Sequence, residues 1–193
     1  MLKRRLGRTG HESSVAVLGG VAFSDASPDE VTGWLTSATE AGVNHLDIAP
    51  SYGEAEVRVG ALLPAFRARL YISEKTMARD RDGARAELER SLELLQTDHF
   101  ELYQFHAVTS QDEVDRILAS GGAAEAFLQA REEGLVTHLG ITGHLEKAPG
   151  LFCQVLEALD LDTVMFPVNA PLWGDPGYRA DAERLLSICS ARD

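Results

Sequence analysis

Short apolar runs alternate along this chain with longer stretches in which apolar residues recur every three or four positions. The runs cover residues 15–20, 44–49, 70–73, 100–106, 138–142 and 163–168. Near-continuous apolar runs of this length, bounded by Gly, Asn or polar residues, predict strands buried on both faces. The stretches between them carry helical periodicity. Ser27 caps the first, with Pro28 at the first position and Asp29 and Glu30 in the first turn, and it ends near Gly42. A second helix is expected over 54–66, with Val57, Ala61 and Leu62 on one face. A third runs over 82–95, apolar at Ala84, Leu88, Leu92 and Leu95. Ser110 opens a fourth region, interrupted by Gly121-Gly122 and resumed to Glu133. Further helices are expected over 151–159 and 181–191. Ahead of all this, the polar stretch 3–9, punctuated by Gly7 and Gly10, predicts a short hairpin.

Strict strand–helix alternation argues for a parallel sheet with helical crossovers. Two architectures compete. A doubly wound sheet binds a nucleotide after its first strand, through a glycine-rich turn. Here that turn reads Gly19-Gly20-Val21-Ala22-Phe23-Ser24 and lacks the third glycine of G-x-G-x-x-G. A barrel instead draws its site from several successive strands, and the polar residues point that way. Asp47 and Tyr52, Lys75, and His106 stand at or just beyond the ends of the second, third and fourth strands. Asp47 and Lys75 are 28 residues apart, and Lys75 and His106 are 31 apart. A βα unit takes roughly 30 residues, so each step advances one unit along the sheet. The expected fold is an α/β (β/α)8 TIM-barrel type, incomplete, with about six βα units. Residues 1–193 are expected to form a single domain. A complete barrel typically takes about 250 residues.

The chain has 193 residues, of which 45% are hydrophobic, enough for one sizeable core. Its formal charge of -12 argues against nucleic acid and against anionic membranes as partners. An anionic cofactor remains compatible, because a local cluster can oppose the global charge. Only Cys153 and Cys189 are present, too few for the four thiolates of an iron–sulfur cluster. Their wide separation predicts reduced thiols and a cytoplasmic location. No metal site is expected. Met1-Leu2-Lys3-Arg4-Arg5 is followed by no long apolar run, so neither a signal peptide nor a membrane span is expected.

The segments "HLDIAPSYGEAEVRVGALL", "ISEKT" and "LYQFHAV" resemble the aldo-keto reductases, in which Asp and Tyr, then Lys, then His follow in this order at about these distances. The likeness extends through "EEGLVTHLGITGH" and "VMFPVNAP". The resemblance implies an NAD(P)H-dependent oxidoreductase that reduces an aldehyde or ketone to an alcohol. NADPH is the default cofactor and NADH the other option. Tyr52 is then the proton donor. A free tyrosine has a pKa of about 10, and a nearby ammonium stabilises the phenolate and makes it a better acid. Lys75 is the candidate ammonium, Asp47 its counter-ion, and His106 the group that orients the carbonyl oxygen. Where the family commonly has Ser-Asn to hold the nicotinamide carboxamide, this chain has Thr142-Gly143-His144. Asn169, after the sixth strand, is a second candidate for cofactor contact, or equally a turn former. His45 is expected to be structural. Glu54, Glu74 and Arg79 are expected to be solvated or helix-start charges, and Phe23 and Trp173 to line a substrate pocket or to pack.

The family completes its barrel with two further strands, whose loops bind the cofactor's pyrophosphate and 2′-phosphate. Two hypotheses follow. One is an active oxidoreductase. The other is a truncated, catalytically weak or inactive member, or an interaction module. Open barrel edges would favour self-association or marginal stability, and loss of the phosphate-binding loops would weaken NADPH binding.

Overall fold

A computed structural model describes residues 1–192. A two-stranded hairpin, β1 (Lys3–Arg5) and β2 (Glu12–Ser14), precedes a six-stranded sheet. The sheet strands are β3 (Leu18–Gly19), β4 (His45–Asp47), β5 (Tyr71–Thr76), β6 (Phe100–Phe105), β7 (Val136–Thr142) and β8 (Thr163–Met165). They lie in sequence order, and every pair is parallel. The sheet curls into a half-barrel with helices outside, an incomplete (β/α)8 fold. The helices are α1 (Pro28–Glu40), α2 (Ala55–Gly60), α3 (Leu63–Phe66), α4 (Arg81–Leu94), α5 (Gln111–Leu118), α6 (Ala123–Glu132), α7 (Ala148–Ala158), α8 (Ala170–Gly174) and α9 (Pro176–Arg192).

Alternation along the strands divides the side chains between two environments. Leu46, Ile72, Tyr103 and Phe105 join the core beneath the helices, with Val31 and Leu35 of α1, Leu88 of α4 and Phe127 of α6. The Phe105 and Phe127 rings stack at 3.8 Å, and the Tyr103 hydroxyl donates to Ala84 O at 3.2 Å. His45, Asp47, Ser73, Leu102 and Gln104 face inward and line a cavity of about 450 Å³.

The expected hairpin is present but reaches to Ser14. It lies across the N-terminal ends of the strands. Ser14 N donates to Asn44 Oδ1 at 2.7 Å, just before β4. Arg8 reaches Asp162, just before β8, at 3.0 Å. Residues 15–20 differ from the buried strand expected. Only Leu18 and Gly19 pair, with Leu46 and Asp47, while Val15 and Val17 are exposed. Among the described residues β3 has a partner on one side only, so residues 15–17 serve as a connection from the hairpin rather than as ladder.

The helix expected over 54–66 is broken in two, because Pro64 in the first turn of α3 has no N–H to continue the ladder. Gly121-Gly122 separates α5 from α6 as expected. Ser27 with Glu30, and Ser110 with Glu113, form capping boxes on α1 and α5. The last strand stops at Met165, and α8 follows, capped by Asn169. Among the described residues no helix is long and apolar enough to cross a membrane.

Candidate active site

Where the ladder between β4 and β5 ends, side chains continue to hold the two segments together. Ile48 N–H donates to Ser73 O at 2.9 Å, and beyond that point the chain leaves β5 for the turn that carries Tyr52. The Lys75 ammonium donates to Ile48 O at 2.9 Å and to Asp47 Oδ1 at 2.6 Å. Lys75 is buried, and the Asp47 side chain is 18% exposed. Taking a lysine head group out of water is costly without an anionic partner, which Asp47 provides.

Tyr52 lies in the turn between β4 and α2, where its N–H donates to Ala49 O at 3.1 Å. The Lys75 Nζ lies over the Tyr52 ring, 5.0 Å from its centroid. His106, immediately after β6, meets the same ring edge-on at 5.7 Å. Its Nδ1 is 3.4 Å from Ser51 Oγ. Burial, and then the neighbouring Lys75, His144 and Arg79, hold the His106 pKa down to about 4, so the ring is neutral at physiological pH. Asp47, Tyr52, Lys75 and His106 thus stand together.

The residues after β7 divide. Thr142 is buried, and its Oγ1 accepts the Ala107 N–H at 3.0 Å. Gly143 is required by close packing, since a Cβ there would lie 2.6 Å from Val108 O. His144 is exposed, with its ring 6.2 Å from that of His106. Asn169 turns away to its own helix, where Oδ1 accepts the Leu172 N–H at 3.0 Å.

His45 is structural. It bridges Ser13 Oγ at 2.9 Å and Ser73 Oγ at 2.5 Å, tying the hairpin to β5. Phe23 is core, fully buried and 5.9 Å from the Trp34 ring. Glu54 is solvated, in an i,i+4 pair with Arg58. Two expectations are overturned. Glu74 is fully buried, and burial, then neighbouring Glu56, push its carboxyl well above the usual carboxylate range. Arg79 is 4% exposed and paired with Glu113 at 2.8 Å. The parity of β5 held the signal for Glu74: with Ser73 and Lys75 turned inward, the residue between them must enter the helix-covered side. Gln104, two residues before His106, carries the same parity signal for an inward, buried position.

The arrangement combines a buried lysine–carboxylate pair, a phenol above it and a neutral imidazole at the C-terminal edge of a curled parallel sheet. Comparison with known proteins gives this geometry a family. The aldo/keto reductase family model matches residues 16–193. An oxidoreductase of Bacillus subtilis, YqkF, is 29% identical over 156 residues, 74% of this chain and 49% of that protein. An aldo-keto reductase of Mycobacterium avium is 31% identical over 155 residues, 77% of this chain and 50% of that one. The crystal structure of a Pseudomonas aeruginosa protein assigned to the aldo-keto reductases superposes with a TM-score of 0.79 at 28% identity, over 96% of this chain and 74% of that one. The chain spans about half the length of these two sequence relatives. With the family model covering residues 16–193, this chain belongs to the aldo/keto reductase family.

Proposed function

We propose that this chain carries the acid–base machinery of an NAD(P)H-dependent reductase of small-molecule aldehydes or ketones. The observation that carries the reading is the Lys75 ammonium, bound by Asp47 at 2.6 Å and lying over the Tyr52 ring. We assign Tyr52 as the donor of the proton to the developing alkoxide, and general acid catalysis of this kind contributes about 10²- to 10⁴-fold. Neutral His106 orients the carbonyl oxygen by donating a hydrogen bond. Asp47 keeps Lys75 charged through the proton transfer.

Bound nicotinamide would supply the hydride. Among the four residues expected to hold it, His144 presents an exposed imidazole beside His106. Thr142 keeps a hydroxyl proton to donate, although its oxygen already accepts from Ala107. Asn169 is occupied as a helix cap. We therefore assign the carboxamide contact to His144 and Thr142, with NADPH as the default cofactor. The free thiols of Cys153 and Cys189 suit a cytoplasmic location.

A second reading, a catalytically weak or inactive chain that acts through association, draws support from the edges of the sheet. Among the described residues β3 and β8 each pair on one side only. Titrating NADPH and NADH into the purified chain while following cofactor fluorescence, and then following cofactor oxidation with a panel of aldehydes and ketones, separates the two. Carbonyl-dependent oxidation is expected. Its absence at saturating cofactor supports the second reading.

A further inference from the structure

Arg79 is a buried charge outside the group of four, and its guanidinium joins three elements. Nη1 donates to Thr76 O, at the end of β5, at 3.3 Å. Nη2 donates to His106 O, just after β6, at 2.5 Å. Nε and Nη2 donate to Glu113 Oε1 at 3.1 and 2.8 Å. Glu113 is itself fixed, because its other oxygen closes the capping box of α5 on Ser110 and accepts the Thr109 N–H at 2.8 Å.

The peptide unit between His106 and Ala107 is thereby held at both ends. Its carbonyl receives Arg79, and its N–H donates to Thr142 Oγ1 at 3.0 Å. Ala107 has a φ of 54°, in the left-handed region that a residue with a Cβ rarely enters. Such a conformation persists only where the surroundings determine it. The backbone N–H of His106 is also held, donating to Thr76 O at 2.9 Å. These bonds set the direction in which the His106 side chain leaves the backbone, and that direction brings its ring edge-on to Tyr52.

We infer that Arg79, anchored by Glu113, is the positioning residue for His106. It acts through the 106–107 peptide and touches no reacting atom. The task needs a guanidinium. One planar group must grip a carboxylate through two nitrogens while donating to two carbonyls, which the compact ammonium of lysine cannot do in the same geometry. The catalytic consequence rests on the role proposed for His106, whereas the structural consequence does not.

The test uses the full chain and three variants, Arg79→Met, Arg79→Lys and Glu113→Gln. Two readouts are followed: the NMR cross-peaks between the His106 and Tyr52 ring protons, and the steady-state kinetics. Arg79→Met and Arg79→Lys are both expected to lose the cross-peaks. Both should lower kcat by about 10- to 100-fold, as misplacement of a site group does, with KM for the cofactor unchanged. Glu113→Gln should weaken the same cross-peaks. Should Arg79→Met fail to fold, Arg79→Lys and Glu113→Gln decide. Cross-peaks retained in Arg79→Lys and Glu113→Gln overturn the inference, and so does their absence from the wild type. If the wild type reduces no carbonyl, the functional reading fails, and the cross-peaks still settle whether Arg79 positions the ring.

Discussion

Glu74 folds its side chain back onto its neighbour, Oε1 accepting the Lys75 backbone N–H at 2.8 Å. The bond forms where β4 leaves β5, so the carboxyl replaces the ladder at the residue whose ammonium completes the site. On the other side of the gap, Lys75 Nζ takes the carbonyl of Ile48. A fully buried carboxyl and the lysine of an ion pair thus sit at successive positions of one strand, on opposite faces.

This pairing has a pH signature. The Glu74 pKa is well above its usual 4.5 because the group is buried and faces Glu56. Its contribution to stability is therefore complete below 4.5 and is lost as pH rises through the folded value. Glu74→Gln keeps an acceptor and removes the titration. It should be more stable than wild type at mildly alkaline pH and nearly equal to it near pH 4.5, as measured by urea unfolding. Glu74→Leu instead orphans a buried N–H, and should cost about 1–3 kcal/mol near pH 4.5, a deficit that narrows as pH rises because the titration is removed here too.

Tyr52→Phe should lower carbonyl reduction by about 10²- to 10⁴-fold while leaving cofactor affinity nearly unchanged, because only a hydroxyl is lost. Lys75→Met should be comparably damaging. It also leaves Asp47 unpaired and Ile48 O without its side-chain donor, so its melting temperature should fall where that of Tyr52→Phe does not. Full turnover in Tyr52→Phe would mean that the proton comes from another group.

Two histidines make the fold sensitive to acid. Burial chiefly holds both His45 and His106 at about 4, against an ordinary 6.5. With the folded pKa depressed, stability is intact above 6.5 and is lost as pH falls toward 4, where the unfolded chain binds the extra protons. For each of the two histidines the loss is about 3 kcal/mol at most. Urea midpoints measured across this window should fall steadily, and His45→Gln should flatten part of the slope. A midpoint independent of pH between 4 and 6.5 would contradict the neutral-histidine assignment.

The polypeptide of residues 1–193 should self-associate or be marginally stable, and should bind NADPH weakly. Val15, Val17, Met165 and Val168 are exposed close to the two sheet edges, and edges of this kind invite pairing. The acidic surface opposes the cofactor's phosphates. Light scattering with a cofactor titration tests both. A monodisperse monomer of micromolar affinity would overturn the prediction.

What the sequence determined by itself is what depends on near neighbours. Apolar runs and helical periodicity marked six βα units, and Ser27 and Ser110 announced their helices through the acids three residues on. The regular spacing of Asp47, Lys75 and His106 placed them on adjacent strand ends, because a parallel sheet advances one strand per unit. What only the tertiary structure decided is which charges are buried and what each polar group already holds. Glu74 and Arg79 look like surface charges in one dimension. Burial is set by the helices packed over them, and the carboxyl groups that act on them, Glu56 on Glu74 by repulsion and Glu113 on Arg79 by pairing, come from other units. The Thr142 hydroxyl and the Asn169 amide are both open to a ligand in the sequence. In the fold, the Thr142 oxygen holds the left-handed turn at Ala107 and only its proton remains to donate, while the Asn169 oxygen caps α8. A hydrogen-bonding group is committed by whatever donor lies within about 3 Å of it, and that distance exists only once the chain has closed on itself.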